Sequence, residues 1–216
     1  MFITGRWLHF LLTYTNSRHS MESVFPKREG IDYSALKLTE EGKYSITRRR
    51  DADHILNIVS SVVKNISDKS LTDATACVGG DTINFALNFR EVHSIEYVQD
   101  NFDALKNNVE VYKLKNVHLH YGDCTKVYNW ASDVLYIDPP WGGPNYRNLD
   151  SVELFLGSTR LDVWLDDVLS GPYRPSYVFL KVPANYNLSP LQFLPNTKRL
   201  TFFRVRSFLL VCVEVY

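Results

Sequence analysis

From residue 51 onward, segments with the apolar spacing of a helix alternate with short segments typical of strands. This alternation constrains the fold more than any other feature of the sequence. Residues 51–66 carry apolar side chains at a three-to-four-residue spacing, which predicts an amphipathic helix. Short β-rich segments then alternate with longer helical ones. The predicted strands span 70–76, 92–97, 116–123, 133–138 and 176–182, and the predicted helices span 81–89, 99–114 and, in large part, 149–169. Alternating strands and helices indicate parallel βαβ units.

The fold class that follows is α/β, with a doubly wound, mostly parallel seven-stranded sheet. Residues 199–205 and 207–216 predict a closing antiparallel hairpin. We expect 51–216 to form this Rossmann-like domain, and 1–50 to be a small helical extension that contributes to substrate binding. Ligands of such sheets bind beyond the carboxyl ends of the strands, so the functional residues are expected there.

Composition excludes several classes of protein. The 216 residues suit one domain, and a formal net charge of zero disfavours a strongly basic, generic nucleic-acid binder. The three cysteines are far apart and no Cys/His ligand spacing occurs, so we expect no metal and assign His118 and His120 a structural role. The apolar run at 7–12 is too short to span a membrane and has no convincing cleavage site. A soluble, intracellular, nuclear or cytoplasmic monomer is therefore expected.

Three successive predicted strands each carry an acidic residue at or near the carboxyl end, namely Asp73, Glu96 and Asp123. An acid after the second strand commonly binds the ribose hydroxyls of an adenosine-containing cofactor, and one after the third can meet an adenine amino group. Gly79 and Gly80 form a sharp turn after the first strand, but no phosphate-binding fingerprint follows. This pattern favours S-adenosylmethionine over NAD. The residues predicted to bind the cofactor are Asp73, Thr75, Cys77, Gly79, Gly80, Thr82, Glu96, Tyr97, Asp123, Cys124 and Asp138.

The fourth strand ends in a stiff loop, Asp138-Pro139-Pro140-Trp141. A carboxylate, a free proline carbonyl and an indole face together suit a planar heterocycle with an exocyclic amine. The carboxylate and carbonyl can accept the amine hydrogens while the ring stacks on Trp141, which makes catalysis chiefly a matter of positioning. Asp138, Pro139 and Trp141 are therefore the predicted catalytic residues.

The segments 139–146 (PPWGGPNY), 73–86 (DATACVGGDTINFA) and 30–47 (GIDYSALKLTEEGKYSIT) together resemble the RNA cap guanine-N2 methyltransferases, the trimethylguanosine synthase family. The resemblance implies a class I S-adenosylmethionine-dependent methyltransferase fold and methyl transfer to N2 of a 7-methylguanosine cap. It implies that Trp141 stacks on the cationic base and that a capped RNA or 7-methylguanosine nucleotide is the partner. The residues it assigns to the substrate are Trp141, Tyr146, Lys37, Tyr44, Ser45 and Arg48.

Three positions depart from the family pattern. Asp138 stands where the family usually has serine, Cys77 replaces the first glycine of the cofactor loop, and residues 181–185 match only loosely. Because Asp-Pro-Pro-Trp also suits an amino-methyltransferase acting on adenine, an N6-adenine methyltransferase on DNA or RNA stays an alternative. A non-catalytic, RNA-binding subunit with this fold is a second alternative. The short length suggests a minimal enzyme of a virus-encoded kind.

Overall fold

The computed structural model describes residues 21–216, which fold around one seven-stranded sheet of order β3-β2-β1-β4-β7-β9-β8. Neighbouring strands are parallel from β3 to β7, whereas β9 runs antiparallel to both β7 and β8. The prediction of a mostly parallel sheet with a closing hairpin is thus confirmed. The strands are β1 (Ser70–Asp73), β2 (Glu91–Glu96), β3 (Val117–Tyr121), β4 (Val134–Ile137), β5 (Phe155–Leu156), β6 (Thr159–Arg160), β7 (Tyr177–Pro183), β8 (Thr197–Val205) and β9 (Phe208–Val215).

Helices cover the two faces of this sheet. They are α1 (Met21–Val24), α2 (Gly42–Ser45), α3 (Arg49–Val62), α4 (Gly80–Ala86), α5 (Gln99–Val111), α6 (Cys124–Val127) and α7 (Leu161–Ser170). The central strands β1 and β4 are buried along their whole length, as expected of strands covered on both faces. Helix α3 buries the apolar stripe that includes Ile55 and Val59. Within residues 21–216, no helix combines the length and apolarity needed to cross a membrane.

The prediction that 149–169 is largely helical is wrong for its first half. Only α7 is helical, and residues 155–160 form the antiparallel pair β5–β6 around Gly157, whose φ is +58°. The reason lies in the period of the apolar residues. Val152, Leu154 and Leu156 are all buried at a spacing of two, which is a strand pattern, while the helical spacing begins only at Leu161.

The N-terminal extension packs closely against the domain where it is described. Phe25 and Leu36 belong to the same buried cluster as Leu105 and Val109 of α5. Before α3 begins at Arg49, residues 21–48 contain only short helices, turns and extended segments, in agreement with the predicted small helical extension. The division at residue 50 stays a prediction, and the run at 7–12 lies outside the described residues.

Candidate active site

The loop that follows β1 supplies the first part of the site. Cys77 has a φ of +48°, so it adopts the left-handed conformation that favours glycine. Gly79 has a φ of +93°, and a Cβ there would lie 2.6 Å from Leu105 Cδ1. Burial raises the pKa of the Cys77 thiol to about 12, so this cysteine is neutral and a poor nucleophile. The loop is therefore a conformationally demanding turn rather than a reactive one.

Asp73 lies beneath this loop and is almost fully buried. Its Oδ2 accepts a hydrogen bond from Thr82 Oγ1 (2.6 Å), and its Oδ1 accepts one from the Thr75 amide (3.2 Å). Burial raises the pKa of Asp73 to about 7. The nearby charges of Asp81 and Asp138 also raise this pKa, whereas the two hydrogen bonds lower it. Three of the predicted cofactor residues, Asp73, Thr75 and Thr82, are thus joined by hydrogen bonds that support the loop after β1.

Glu96 ends β2 and fixes the loop from the neighbouring strand. Its two carboxylate oxygens accept hydrogen bonds from the backbone amides of Cys77 (2.8 Å) and Val98 (2.7 Å). Burial raises its pKa despite these bonds. Tyr97, the next residue, is 60% exposed and presents its ring to solvent beside this edge. Glu96 is thus a buried carboxylate that ties the loop after β1 to the end of β2.

Asp123 follows β3 and caps helix α6. Its Oδ1 accepts from the amide (3.0 Å) and the hydroxyl (2.7 Å) of Thr125, while its Oδ2 pairs with Lys126. Burial alone would raise the pKa of Asp123, but the bonds from Thr125 and the charge of Lys126 lower it overall. Cys124 is buried behind it, and burial raises the pKa of its thiol to about 12. Asp123 is thus a helix cap that keeps an ionised carboxylate at the sheet edge.

Asp138, at the end of β4, forms a buried ion pair that the sequence interpretation missed. Its Oδ2 lies 2.6 Å from Nζ of Lys181 on β7, and the side chains are only 17% and 7% exposed. Its amide donates to Thr75 Oγ1 (2.7 Å), so Thr75 links the ends of β1 and β4. Burial raises the pKa of Asp138 to about 6, although Lys181 opposes this. Burial lowers the pKa of Lys181, but Asp138 and Asp81 outweigh it and raise the pKa overall, so both groups are charged at neutral pH.

The ion pair belongs to a longer buried network. Lys181 Nζ also donates to Thr47 Oγ1 (2.8 Å), and Thr47 in turn donates to Asp81 Oδ2 (2.5 Å). The Tyr136 hydroxyl donates to the same Asp81 oxygen (3.1 Å). This network therefore joins the N-terminal extension, the start of α4 and the strand ends β4 and β7 around Asp138.

The predicted stacking residue Trp141 lies at the edge of this network and is partly buried. Its ring meets Tyr146 edge-on, with centroids 5.2 Å apart, and Lys181 Nζ lies 5.6 Å from its centroid. The indole Nε1 is buried and has no hydrogen-bond partner among residues 21–216. Pro139 is buried beside Asp138. The structure therefore brings Asp138, Pro139, Trp141 and Tyr146 together in one loop, and their roles stay predictions.

Tyr146 is held by a residue from the loosely matching segment 181–185. Asn185 Nδ2 donates to the backbone carbonyls of Tyr146 and Leu149, both at 2.8 Å. Asn185 and Lys181 are thus both site-supporting residues absent from the sequence prediction. A lysine inside the apolar run of β7 was the available signal, because a charge in a central strand has to be paired.

The N-terminal residues assigned to the substrate are spread over two places. Lys37 is exposed beside α5, where its backbone exchanges hydrogen bonds with the Asn108 side chain. Tyr44 is 77% exposed and Ser45 is also exposed, while Arg48 is the cap residue before α3. The segment reaches the site through Thr47 instead. It approaches closely because Gly80 has no side chain, since a Cβ there would lie 2.6 Å from Ile46 Cγ1.

Comparison with known proteins shows which family the chain resembles in sequence. Residues 68–199 match the family described as RNA cap guanine-N2 methyltransferase. An uncharacterized protein of Acanthamoeba polyphaga mimivirus is 25% identical over 92% of this chain and 87% of its own length. The trimethylguanosine synthase of Schizosaccharomyces pombe is 31% identical over 63% of this chain and 56% of its own length, and that of Saccharomyces cerevisiae is 28% identical over 57% and 41%. The chain thus spans about half the length of the yeast relatives.

The fold has a similar counterpart among solved structures. A T. thermophilus 16S rRNA N2 methyltransferase in complex with AdoMet and guanosine superimposes with a TM-score of 0.62. It covers 85% of this chain and 45% of its own length, at 15% identity. The seven-stranded sheet is that of the class I methyltransferases, whose cofactor is S-adenosylmethionine. Since the family match covers more than half of the residues, the chain belongs to the RNA cap guanine-N2 methyltransferase family.

Proposed function

We propose that this protein transfers a methyl group from S-adenosylmethionine to the exocyclic N2 of a 7-methylguanosine RNA cap, giving the dimethylated and, after a second round, the trimethylated base. The observation that supports this most directly is the position of Asp138 and Trp141. They lie at the carboxyl end of β4, linked through Thr75 to the loop after β1. A methyl acceptor bound at this loop would be next to a cofactor bound over the neighbouring strand ends.

The residues at the three preceding strand ends suit the cofactor chemically. In this proposal Glu96 accepts hydrogen bonds from the ribose hydroxyls and Asp123 accepts one from the adenine amino group, since a carboxylate can accept more hydrogen bonds than either makes within the protein. The turn at Cys77 and Gly79 has left-handed backbone at both positions, and Gly79 carries no side chain that could block a ligand lying over it. When bound, S-adenosylmethionine supplies an electrophilic methyl group on a sulfonium.

The protein's own contribution is to orient the acceptor amine. Asp138 is already desolvated and fixed by Lys181, so its carboxylate can accept an N–H bond without further ordering. The Pro139 carbonyl offers a second acceptor. Stacking of a cationic base on Trp141 contributes about 0.5–2 kcal/mol. Lys181 also lies near this ring, but its charge is balanced by Asp138 and does not exclude a second cation. No separate general base is required, because the methylated amine loses its proton readily.

One observation keeps adenine as a second candidate acceptor. Asp138 presents a carboxylate where the family usually has a hydroxyl, and a carboxylate is a strong acceptor for an adenine N6 amine. In that case Trp141 would stack on a neutral base. The two candidates therefore differ in whether the positive charge of the base contributes to binding.

The test is transfer of labelled methyl to 7-methyl-GTP, GTP and single-stranded adenine oligonucleotides by the same preparation. We expect label on 7-methyl-GTP, and none on the oligonucleotides. Trp141→Ala should lower this transfer by at least the 2- to 30-fold that about 0.5–2 kcal/mol represents, while cofactor binding, measured by calorimetry, is kept. Phe193→Ala, which changes an aromatic residue that is 83% exposed, serves as the control. Label on the oligonucleotides alone would replace the cap proposal by the adenine one, and cofactor binding without any transfer would favour a non-catalytic subunit.

A further inference from the structure

Three histidines and a glutamate gather on one face of β2 and β3, away from the candidate active site. Glu91 and His93 alternate along β2, and His118 and His120 alternate along β3, with His93 directly beside His118 in the register. Glu91 begins β2 and Glu96 ends it, so the two lie about 16 Å apart along the strand. The helix after β3, α6, is a single turn, and Trp130 packs against the histidines on this face.

The side-chain atoms of three of these residues converge as metal ligands do. Glu91 Oε1 lies 2.9 Å from His118 Nε2 and 3.8 Å from His93 Nε2. The three ligand atoms all lie within 4.8 Å of one another. Ligands around a tetrahedral zinc ion are separated by about 3.4 Å, given bonds of about 2.1 Å. Small rotations of the two imidazoles would therefore place all three atoms around one ion.

A fourth residue supports this arrangement from behind. His93 Nδ1 lies 3.0 Å from His120 Nε2, and the His120 ring is stacked on Trp130 with centroids 4.1 Å apart. When His93 donates this hydrogen bond, its Nε2 carries the free lone pair on the side of Glu91. Metal-bound histidines in proteins almost always donate their other N–H in this way, which fixes the tautomer and the ring orientation.

We propose that His93 Nε2, His118 Nε2 and Glu91 Oε1 form a binding site for a divalent transition metal, with zinc the ion that best suits two imidazoles and a carboxylate. His118 is about half exposed, so the fourth coordination position is open to water. The second Glu91 oxygen lies 3.9 Å from Arg90 Nη2, which leaves Oε1 for the ion. The ion joins edge strand β3 to β2. This proposal replaces the expectation of purely structural histidines and is independent of the proposed methyl transfer.

The test uses the full-length, tag-free protein. Zinc affinity is measured by competition with a chromogenic chelator, and cobalt(II) absorption reports the ligands. We expect one equivalent of zinc per chain and a cobalt spectrum without thiolate charge-transfer absorption. Glu91→Gln and His118→Ala should each weaken zinc binding by about tenfold or more, and His120→Ala by about 10- to 100-fold. His54→Ala, which removes an exposed histidine of α3, should leave the affinity unchanged.

Thermal unfolding provides a second readout. Zinc should raise the Tm of the wild type and of His54→Ala, and EDTA should reverse this, because an ion bound to the folded chain stabilises it by mass action. At the same zinc concentration the Tm of Glu91→Gln should rise less than that of the wild type, although its metal-free Tm stays close to that of the wild type. The proposal is overturned if no stoichiometric binding occurs, if Glu91→Gln and His118→Ala bind zinc as the wild type does, or if the cobalt spectrum shows cysteine ligation.

Discussion

Replacing Lys181 by methionine should destabilise the fold by removing one partner of a buried ion pair. Lys181 is 6% exposed and donates to Asp138 at 2.6 Å and to Thr47 at 2.8 Å. Methionine has a similar volume, so the loss is electrostatic rather than a cavity. Breaking a buried pair at one partner costs about 3–5 kcal/mol. Because Asp138 can escape part of this cost by taking up a proton, we expect the lower figure, about 3 kcal/mol.

A double variant measures the interaction energy between Lys181 and Asp138 themselves. Replacing Asp138 by the serine that the family usually has, together with Lys181→Met, removes both charges. Removing both members of a buried pair is often close to neutral, so the double variant should lie within about 1 kcal/mol of the wild type. The coupling energy of the cycle is the difference between the double variant and the sum of Lys181→Met and Asp138→Ser. It should therefore be at least about 2 kcal/mol, because Lys181→Met alone is expected to cost about 3 kcal/mol and the double variant no more than about 1 kcal/mol.

Urea unfolding followed by circular dichroism measures all of these free energies. The m-value should stay constant, which shows that the same surface is exposed on unfolding. Lys64→Met is the control, because Lys64 is exposed and surface changes of this kind stay within about 0.5 kcal/mol. The reasoning is refuted if Lys181→Met costs no more than the control, or if the double variant is as unstable as the sum of the single ones.

Further predictions concern the loops and the pH dependence. Cys77→Gly should raise the free energy of unfolding by about 0.5 kcal/mol in urea titrations, since relief of a φ of +48° outweighs the added freedom of the unfolded chain; a lower value would contradict this. Trp141→Phe should raise KM for 7-methyl-GTP more than it lowers kcat, because the smaller ring still stacks; an unchanged KM would argue against stacking. The kcat/KM should rise as pH increases through about 6, where Asp138 ionises, and Asp138→Asn should lose this limb of the profile. Because the folded-state pKa of Asp73 is raised to about 7, its contribution to stability is largest at pH 4 and is lost as the pH rises through 7. The Tm should therefore fall with pH over this range, and Asp73→Asn should make the Tm less dependent on pH.

The sheet was predictable because its strands and helices differ in apolar period and are separated by clear turns. Val152, Leu154 and Leu156 led to the one wrong helix, since their spacing of two is short and runs directly into the helical pattern of α7. The ends of the strands were also predictable, because parallel topology brings residues such as Glu96 and Asp138 to one edge.

The partners of the site residues were much less predictable. Lys181 is 43 residues from Asp138 in sequence, and Thr47 is 134 residues from Lys181, so no local pattern connects them. The departure at Asp138 from the family's serine was visible in the sequence, but the compensating lysine became clear only through the pairing of β4 with β7. The need for glycine at position 80 could not be predicted from local sequence either. The side chain that packs against Gly80 is Ile46, which comes from the N-terminal extension.

The most direct test of the central claim is a parallel assay of methyl transfer to 7-methyl-GTP and unmethylated GTP, with the product identified by mass spectrometry. The account predicts that label enters 7-methyl-GTP alone and resides on N2, because the cationic base is favoured by Trp141 and the amine is oriented by Asp138. Equal transfer to both nucleotides would contradict the cationic stacking, and transfer to neither, with adenine oligonucleotides labelled instead, would contradict the cap assignment itself.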